Sequence, residues 1–335
     1  MSVTIKDVAK LAGVSISTVS RVINSSKPVS PEVKKKVLEV IEEIGYKPNE
    51  IARTLVTKKS FLIGVIVTNL SNSFVTEMVR GIEEIGKMYN YDILLCSTYG
   101  DKEAEYKYMQ LLNRKQVEGI ILISEVLNEG VKRQIKQYDI PFVFLSRDSY
   151  ESEYSTVSID NYDASYEMTN YLISLGHRNI AYVTNEKETK SMEKFRLEGY
   201  KKAISENENM KELVFYSEGK KVEQGYEVAR DVLSCDEKIT SVFCSRDELA
   251  IGVINYFYDN GVNVPENISV AGFGDIPMAS IFRPKLTTIR EPFYDIGAVA
   301  IRKIIKELKG EKTNEEHIIL PFQIQKRKSC IKNKS

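Results

Sequence analysis

Behind a glycine at position 13, the residues Ser15, Ser17, Thr18, Ser20 and Arg21 fall within one short stretch, "VSISTVSRVIN". Hydroxyls this short let a helix come close to phosphates and base edges, and an arginine can grip a phosphate or bind guanine through two parallel hydrogen bonds. The chemistry these residues suit is reversible recognition of an anionic polymer rather than bond making. Nothing reactive competes with it elsewhere. The phosphate cradle G-x-x-x-x-G-K-[ST] and the nucleophile elbow G-x-S-x-G are absent, and "GFGDIP" begins like a dinucleotide loop but lacks the third glycine. His177 and His317 are the only histidines, and neither stands in a metal-ligand spacing. His177 follows Gly176 at a helix end, where a dipole partner is a better reading than a base. No enzyme, metal site or cofactor is expected.

Three helices are predicted to position the hydroxyl cluster. Thr4 can cap the first, with Asp7 three residues on, and Val8, Ala9 and Leu11 supply its apolar face. Gly13 suits the left-handed turn, and Ser15 caps the second helix. Val19, Val22 and Ile23 then face inward, while Ile16, Ser17, Ser20 and Arg21 face out. Ser30, Pro31 and Glu32 open a third helix that keeps helical period through Val33, Val37, Val40, Ile41 and Ile44 and stops at Gly45. This is a helix-turn-helix layout, in which the second helix enters the major groove; an αα-hairpin with no DNA role is the alternative. Charge leans toward the first reading. Residues 1–59 carry 11 Lys/Arg against 6 Asp/Glu, while the remainder carries 36 against 41.

The following stretch, "KPNEIARTLVTKKS", is basic, has Asn49 as a cap, and sets Ile51 and Leu55 on one face. It is too short for a stable isolated helix, since helices below about 12 residues are marginal in water. Beyond it, strands such as "FLIGVIV", "VEGIILI" and "ISVAGFG" alternate with amphipathic helices in about ten units. That is too many for one lobe, so the reading is two Rossmann-like parallel sheets with a cleft at the carboxyl ends of their strands. No run of 18 apolar residues spans a membrane, no apolar leader opens the chain, and four scattered cysteines fit a reducing cytoplasm.

The segment Val3–Ser60 resembles the DNA-binding head of the LacI/GalR (lactose repressor) family. The motif T-x-x-D-V-A-x-x-A-G-V-S-x-x-T-V-S-R-V-I-N runs from Thr4 to Asn24, and G-Y-x-P-N-x-x-A-R-x-L from Gly45 to Leu55. The resemblance implies base reading by Ile16, Ser17 and Arg21, with Thr4, Ser15, Thr18, Ser20 and Asn24 on the same DNA-facing surface. It also implies a hinge helix that orders on operator DNA. Leu55 would wedge into the central minor groove, Ala52 would meet the hinge of a second copy, and Asn49 and Arg53 would lie near the backbone.

Residues 61–330 resemble the same family's effector core, a periplasmic-binding-protein-like fold, through "NLSNSFVTEMVRGIEE", "SLGHRNIAYV", "FRLEGYKKAI", "RDELAIGV" and "NVPENISVAGFGDIP". The implied division is a head over 1–48, a hinge over 49–60 and a core over 61–335. The N-terminal lobe is about 61–159 plus 291–320, and the C-terminal lobe about 160–290 plus 321–330. The effector set implied by the resemblance is Asn72, Phe74, Ser146, Arg147, Arg196 and, in place of the family's usual Asn-Asp, Arg246 and Asp247. Gly274 then Asp275 replaces a usual aspartate, and Lys220 and Lys221 stand where many relatives have an aromatic. Convergence of Arg147, Arg196, Arg246 and one lysine, Lys221 in particular, would suit a phosphorylated sugar. The alternative has the lysines in solvent and Arg246 paired with Asp247 or Asp275.

In "EPFYDIGAVAIRKIIKELKG", Gly297, Ile301, Ile304 and Leu308 form the predicted buried stripe, and Asp295, Val299, Arg302 and Lys306 another face. "YDIGAVA-x-R", "GIEEIGKMYNYDI" and the tail "EEHIILPFQIQKRKS" resemble the catabolite control protein A branch. That branch implies seryl-phosphorylated HPr as a partner at Tyr294, Asp295, Val299, Arg302 and Lys306; a pathway-specific sugar repressor with no HPr partner is the rival. The expectation is a cytoplasmic homodimer that binds operator DNA under the control of a sugar or sugar phosphate.

Overall fold

The apolar period of the first forty-six residues is met by three helices around one small core. The computed structural model describes residues 3–24, 27–46, 59–146, 153–185, 192–311 and 316–333. The chain divides into two compact units, Met1–Phe61 and Leu62–Ser335. In the first, α1 (Ile5–Ala12), α2 (Ile16–Asn24) and α3 (Pro31–Glu43) bury Val8, Ala12, Val19 and Val37 completely. Gly13 ends α1 at φ 67°, a left-handed conformation that closes the tight turn into α2. Leu11 does not join this core and is 57% exposed. The buried face is centred on Ala12, and one residue along a helix rotates the side chain by about 100°.

The second unit holds two sheets. The first has the order β2-β1-β3-β4, with β1 (Leu62–Val67), β2 (Asp92–Ser97), β3 (Gly119–Ile123) and β4 (Phe142–Leu145) all parallel. The parallel pair β5 (Thr156–Ile159) and β11 (His317–Leu320) extends it, because the Phe144 N–H donates to Ser155 O at 2.9 Å. The second sheet has the order β12-β10-β9-β8-β6-β7. Its strands are β6 (Ile180–Thr184), β7 (Leu213–Tyr216), β8 (Ser241–Cys244), β9 (Ser269–Gly274), β10 (Thr287–Arg290) and β12 (Gln323–Gln325). Only β12 runs antiparallel to its neighbour. The chain passes between the sheets after β5, after β10 and after β11. These are the two α/β lobes that the strand-helix alternation predicts.

The lobe helices are α4 (Ser73–Met88), α5 (Lys102–Arg114), α6 (Glu129–Tyr138), α7 (Asn161–Ser174), α8 (Met192–Ser205), α9 (Val222–Leu233), α10 (Asp247–Asp259), the short α11 (Pro277–Ile281) and α12 (Phe293–Leu308). Two glycines bring α4 and α12 into backbone contact. A Cβ on Gly297 would lie 2.0 Å from Met78 O, and one on Gly81 would lie 2.1 Å from Tyr294 O. This contact fixes α12 at the crossover between lobes, beside the cleft. On α12, Gly297, Ile301 and Ile304 of the predicted stripe are buried but Leu308 is only half-buried, and Ile296, Ala300, Ile305 and Lys303 are buried as well, Lys303 lying 3.2 Å from Glu307. Among the described residues no helix is long and apolar enough to cross a membrane.

Candidate functional site

The first candidate surface is α2. The Ser15 hydroxyl accepts the Thr18 N–H at 3.1 Å, which caps the helix, and lies 2.7 Å from Ser17 Oγ and 2.9 Å from Thr18 Oγ1. With Val19 and Val22 directed into the core, Ile16, Ser17 and Arg21 are left exposed on the opposite face, flanked by half-buried Thr18 and Ser20. At the start of α1, the Thr4 N–H and hydroxyl both donate to Asp7 Oδ2, at 2.9 and 2.7 Å. Those two hydrogen bonds hold the Asp7 carboxyl below the usual carboxylate range. The Asn24 side chain and the hinge positions Asn49, Ala52, Arg53 and Leu55 lie outside the described residues.

The second candidate is the space between the lobes, a cleft of about 810 Å³ whose lining includes Ser73, Phe74, Asp275, Glu291, Phe293 and Pro321. The rings of Phe74 and Phe293 lie 5.7 Å apart, centroid to centroid. Beside it, at the carboxyl ends of β6, β8 and β9, a buried charged network crosses the C-terminal lobe. Arg196 is fully buried. Its Nε donates to Asn161 Oδ1 at 2.7 Å and its Nη1 to Ser245 O at 2.8 Å. Its Nη2 lies 3.6 Å from Glu291 Oε1, and the guanidinium sits 3.8 Å above the Phe273 ring.

Arg246, which precedes α10, donates from Nε to Glu193 Oε1. The other Glu193 oxygen accepts from Thr184 Oγ1 at 2.9 Å, the Asn185 N–H at 3.1 Å and Ser245 Oγ at 3.2 Å. Burial alone would push the Glu193 carboxyl up. The charges of Arg246 and Arg196, with the hydrogen bonds from Arg246 and Asn185, reverse this and bring it down to about 2. Asp247 braces the site from behind. It accepts from Thr288 Oγ1 at 2.5 Å and from the Ile276 N–H at 2.9 Å, which ties strand β10 and the loop after β9 to α10. Asp275 lines the cleft but pairs with Arg327 at 2.5 Å.

The expected convergence of cations therefore differs from what the structure holds. Arg246 pairs with Glu193, Asp275 pairs with Arg327, and Arg196 faces Glu291. A guanidinium taken out of water needs an opposite charge beside it, and these carboxylates supply it. Lys220 reaches across the lobes to Glu125 at 3.7 Å, and Lys221 is exposed at the start of α9. Arg147 lies outside the described residues; its neighbour Ser146 donates to Glu125 O at 2.9 Å. Asn72 is exposed at the N-cap of α4, one residue before the cleft-lining Ser73.

Sequence reasoning alone misses Glu193, Asn161 and Glu291. One signal points to the first of them, since Glu193 stands three residues before Arg196 and so shares a face of α8. On α12, Asp295, Arg302 and Lys306 are exposed and Val299 is half-buried. Tyr294 donates to Glu84 Oε2 at 2.7 Å and lies under Arg80. His177 is buried as a clamp, its two ring nitrogens each 3.1 Å from an oxygen, Thr240 Oγ1 and Ile331 O. Burial pushes its imidazole down, away from protonation. No group of metal-ligating side chains occurs among the described residues.

Residues 4–49 match the family described as bacterial regulatory proteins, lacI family, and residues 60–328 match the periplasmic binding proteins and sugar binding domain of the LacI family. The chain is 39% identical to the HTH-type transcriptional regulator RegA of Clostridium saccharobutylicum over 332 residues, covering 99% of this chain and 100% of that one. It is 38% identical to catabolite control protein A of Priestia megaterium, covering 98% and 99%. The lac repressor dimer bound to operator and the anti-inducer ONPF superposes with a TM-score of 0.86 at 25% identity, covering 99% of this chain and 100% of that one.

Proposed function

The chain belongs to the LacI family of bacterial DNA-binding transcriptional regulators, and from that premise we propose that it represses carbohydrate genes as a homodimer under the control of a small ligand held between its lobes. Two α2 helices would read the halves of a pseudo-palindrome in the cytoplasm, and the hinges, with Leu55 as wedge, would meet in the central minor groove. The observation that carries the ligand reading is the cleft of about 810 Å³ beside the buried Arg196 network. Its lining sets the Phe74 and Phe293 rings among hydrogen-bonding groups that include Arg80, Asp275, Arg290 and Glu291, a combination that suits a polyhydroxyl compound. Ligand binding would bias the lobe arrangement and so hinge spacing, a coupling of about 1–3 kcal/mol.

Operator selection from random DNA, followed by competition with a panel of sugars and sugar phosphates, tests this reading. The expected result is a two-fold-symmetric site whose affinity shifts with one class of compound. An asymmetric site, or indifference to every compound, counts against it. A second reading adds seryl-phosphorylated HPr as corepressor, favoured by the exposed row Asp295, Arg302 and Lys306 on α12. If wild type fails to bind phosphorylated HPr, or Arg302→Glu binds it equally well, the rival without an HPr partner stands.

A further inference from the structure

Helices α5 and α6 pack side by side on the N-terminal lobe, and a groove of about 790 Å³ lies between them, away from the cleft. Its walls follow helical period, with Lys102, Tyr106 and Gln110 on α5 and Gly130, Arg133 and Gln134 on α6. Gln134 belongs to the wall yet is only 4% exposed. Its Nε2 donates to Tyr106 O at 3.4 Å, and its Oε1 meets no donor among the described residues. A buried amide oxygen without a donor is unfavourable, so the groove gains from a ligand that carries one. Asn128, also in the wall, caps α6 through the Val131 N–H at 2.9 Å and donates to the buried Glu105 carboxylate behind the groove at 2.5 Å. The charged side chains of the lining are Lys102, Lys107, Arg133 and Glu103, and Glu103 pairs with Lys107 at 3.6 Å. Lys102 and Arg133 are exposed and form no ion pair among the described residues, although Glu105 feels the charge of Lys102. This basic groove stands on an acidic body, since residues 60–335 carry 36 Lys/Arg against 41 Asp/Glu.

From this arrangement we infer that the groove between α5 and α6 is a docking site for a short acidic segment of a partner protein. The segment's carboxylates meet Lys102 and Arg133, its side-chain methylenes lie on the Tyr106 ring, which is 43% exposed, and a backbone N–H is donated to Gln134 Oε1. Length supports a peptide. From Lys102 to Gln110 the wall runs about 12 Å at 1.5 Å per residue, room for about four residues of extended chain. A lone phosphate or a sugar phosphate fills only part of it. Duplex DNA would bring the negative charge, but its phosphodiester backbone has no hydrogen-bond donor to offer Gln134. A peptide carries an N–H at every residue except proline. The site shares no residue with the cleft or with the exposed row of α12, so it stands apart from both readings of those surfaces.

The test is fluorescence anisotropy on the full chain, with labelled hexaglutamate and the same peptide N-methylated along its backbone as probes. Wild type should bind hexaglutamate saturably, less tightly as salt rises, and should prefer it to the methylated peptide. Lys102→Glu/Arg133→Glu should bind hexaglutamate at least about tenfold more weakly, the scale of one charge-assisted contact or more. Both side chains are exposed, so the Tm and operator affinity of this variant should match wild type. Gln134→Leu should bind the two peptides equally. The inference is overturned if wild type shows no saturable binding, or if the folded double variant binds hexaglutamate as wild type does, which would move the peptide to another basic surface such as the head. It is also overturned if wild type does not distinguish the methylated peptide, since the backbone donor then plays no part. Competition with duplex DNA of unrelated sequence decides between classes of partner. DNA that displaces the peptide from wild type, and that the double variant binds more weakly, assigns the groove to nucleic acid instead.

Discussion

The reading helix and the cleft solve opposite problems. On α2 the polar groups stay at or near the surface, and the hydrogen bonds of Ser15 span two or three residues, to Ser17 and Thr18. In the network beside the cleft the charges are buried, and the bonds that satisfy them span 35 residues between Arg196 and Asn161 and 53 between Arg246 and Glu193. An exposed polar group can wait for DNA because water satisfies it meanwhile. A buried charge cannot wait, so the protein must supply its partner. Substitutions in the cleft should therefore act on folding as well as binding, and those on the exposed face of α2 on DNA binding alone.

Arg196→Ala should break that contrast most severely. It removes the cation beside Glu291, the donor to Asn161 Oδ1 and one of two cations near Glu193, a type of loss that costs about 3–5 kcal/mol. The core transition in thermal unfolding should fall sharply while the head transition stays in place; equal Tm values for variant and wild-type core would refute the assignment. Acid should reach the same network. The Glu193 carboxyl ordinarily titrates near 4.5 and is held at about 2 in the fold. A depressed carboxyl contributes stability that is complete above its unfolded value and is lost as pH falls toward its folded one. The loss should amount to about 3 kcal/mol between pH 4.5 and 2. Glu193→Gln should flatten this part of the pH profile, although its stability at neutral pH is lower.

Arg21→Ala should show the other side of the contrast. Its side chain is exposed, so unfolding should not change, whereas operator affinity should drop by about 1–3 kcal/mol, with a smaller drop on unrelated DNA. Equal loss on both would assign Arg21 to phosphate contact rather than base reading.

The same contrast explains what the sequence can reveal. Caps, the Gly13 turn and the inward valines of the head are set by neighbours within four residues, so they are legible. So is the alternation that builds two parallel sheets. Leu11 departs from expectation because its neighbour Ala12, small and easily overlooked, centres the buried face of α1. In the cleft, Arg196 and Arg246 can be singled out by resemblance, but their charge partners cannot. Glu193 meets Arg246 only because β6 and β8 pair, and Asp247 meets Thr288 only through β9, which separates their strands. An arginine met in sequence looks like an open binding group, and its availability depends on contacts that only the fold creates.

Ser15 lies where the two regimes touch, and its variants have the smallest expected effect on stability. Its hydroxyl already caps α2, yet it stands at the helix end that would meet DNA. Ser15→Ala should lower head stability by about 1 kcal/mol and weaken operator binding too, so it cannot separate the roles. Ser15→Asp can. Aspartate is an equally good cap and suits the helix dipole, so the head should melt near the wild-type temperature. Its negative charge would face phosphate, so operator binding should fall well below that of Ser15→Ala. If Ser15→Asp instead binds operator as wild type does, this end of α2 stays away from the backbone, and the DNA-facing surface begins further along, at Ser17 and Arg21.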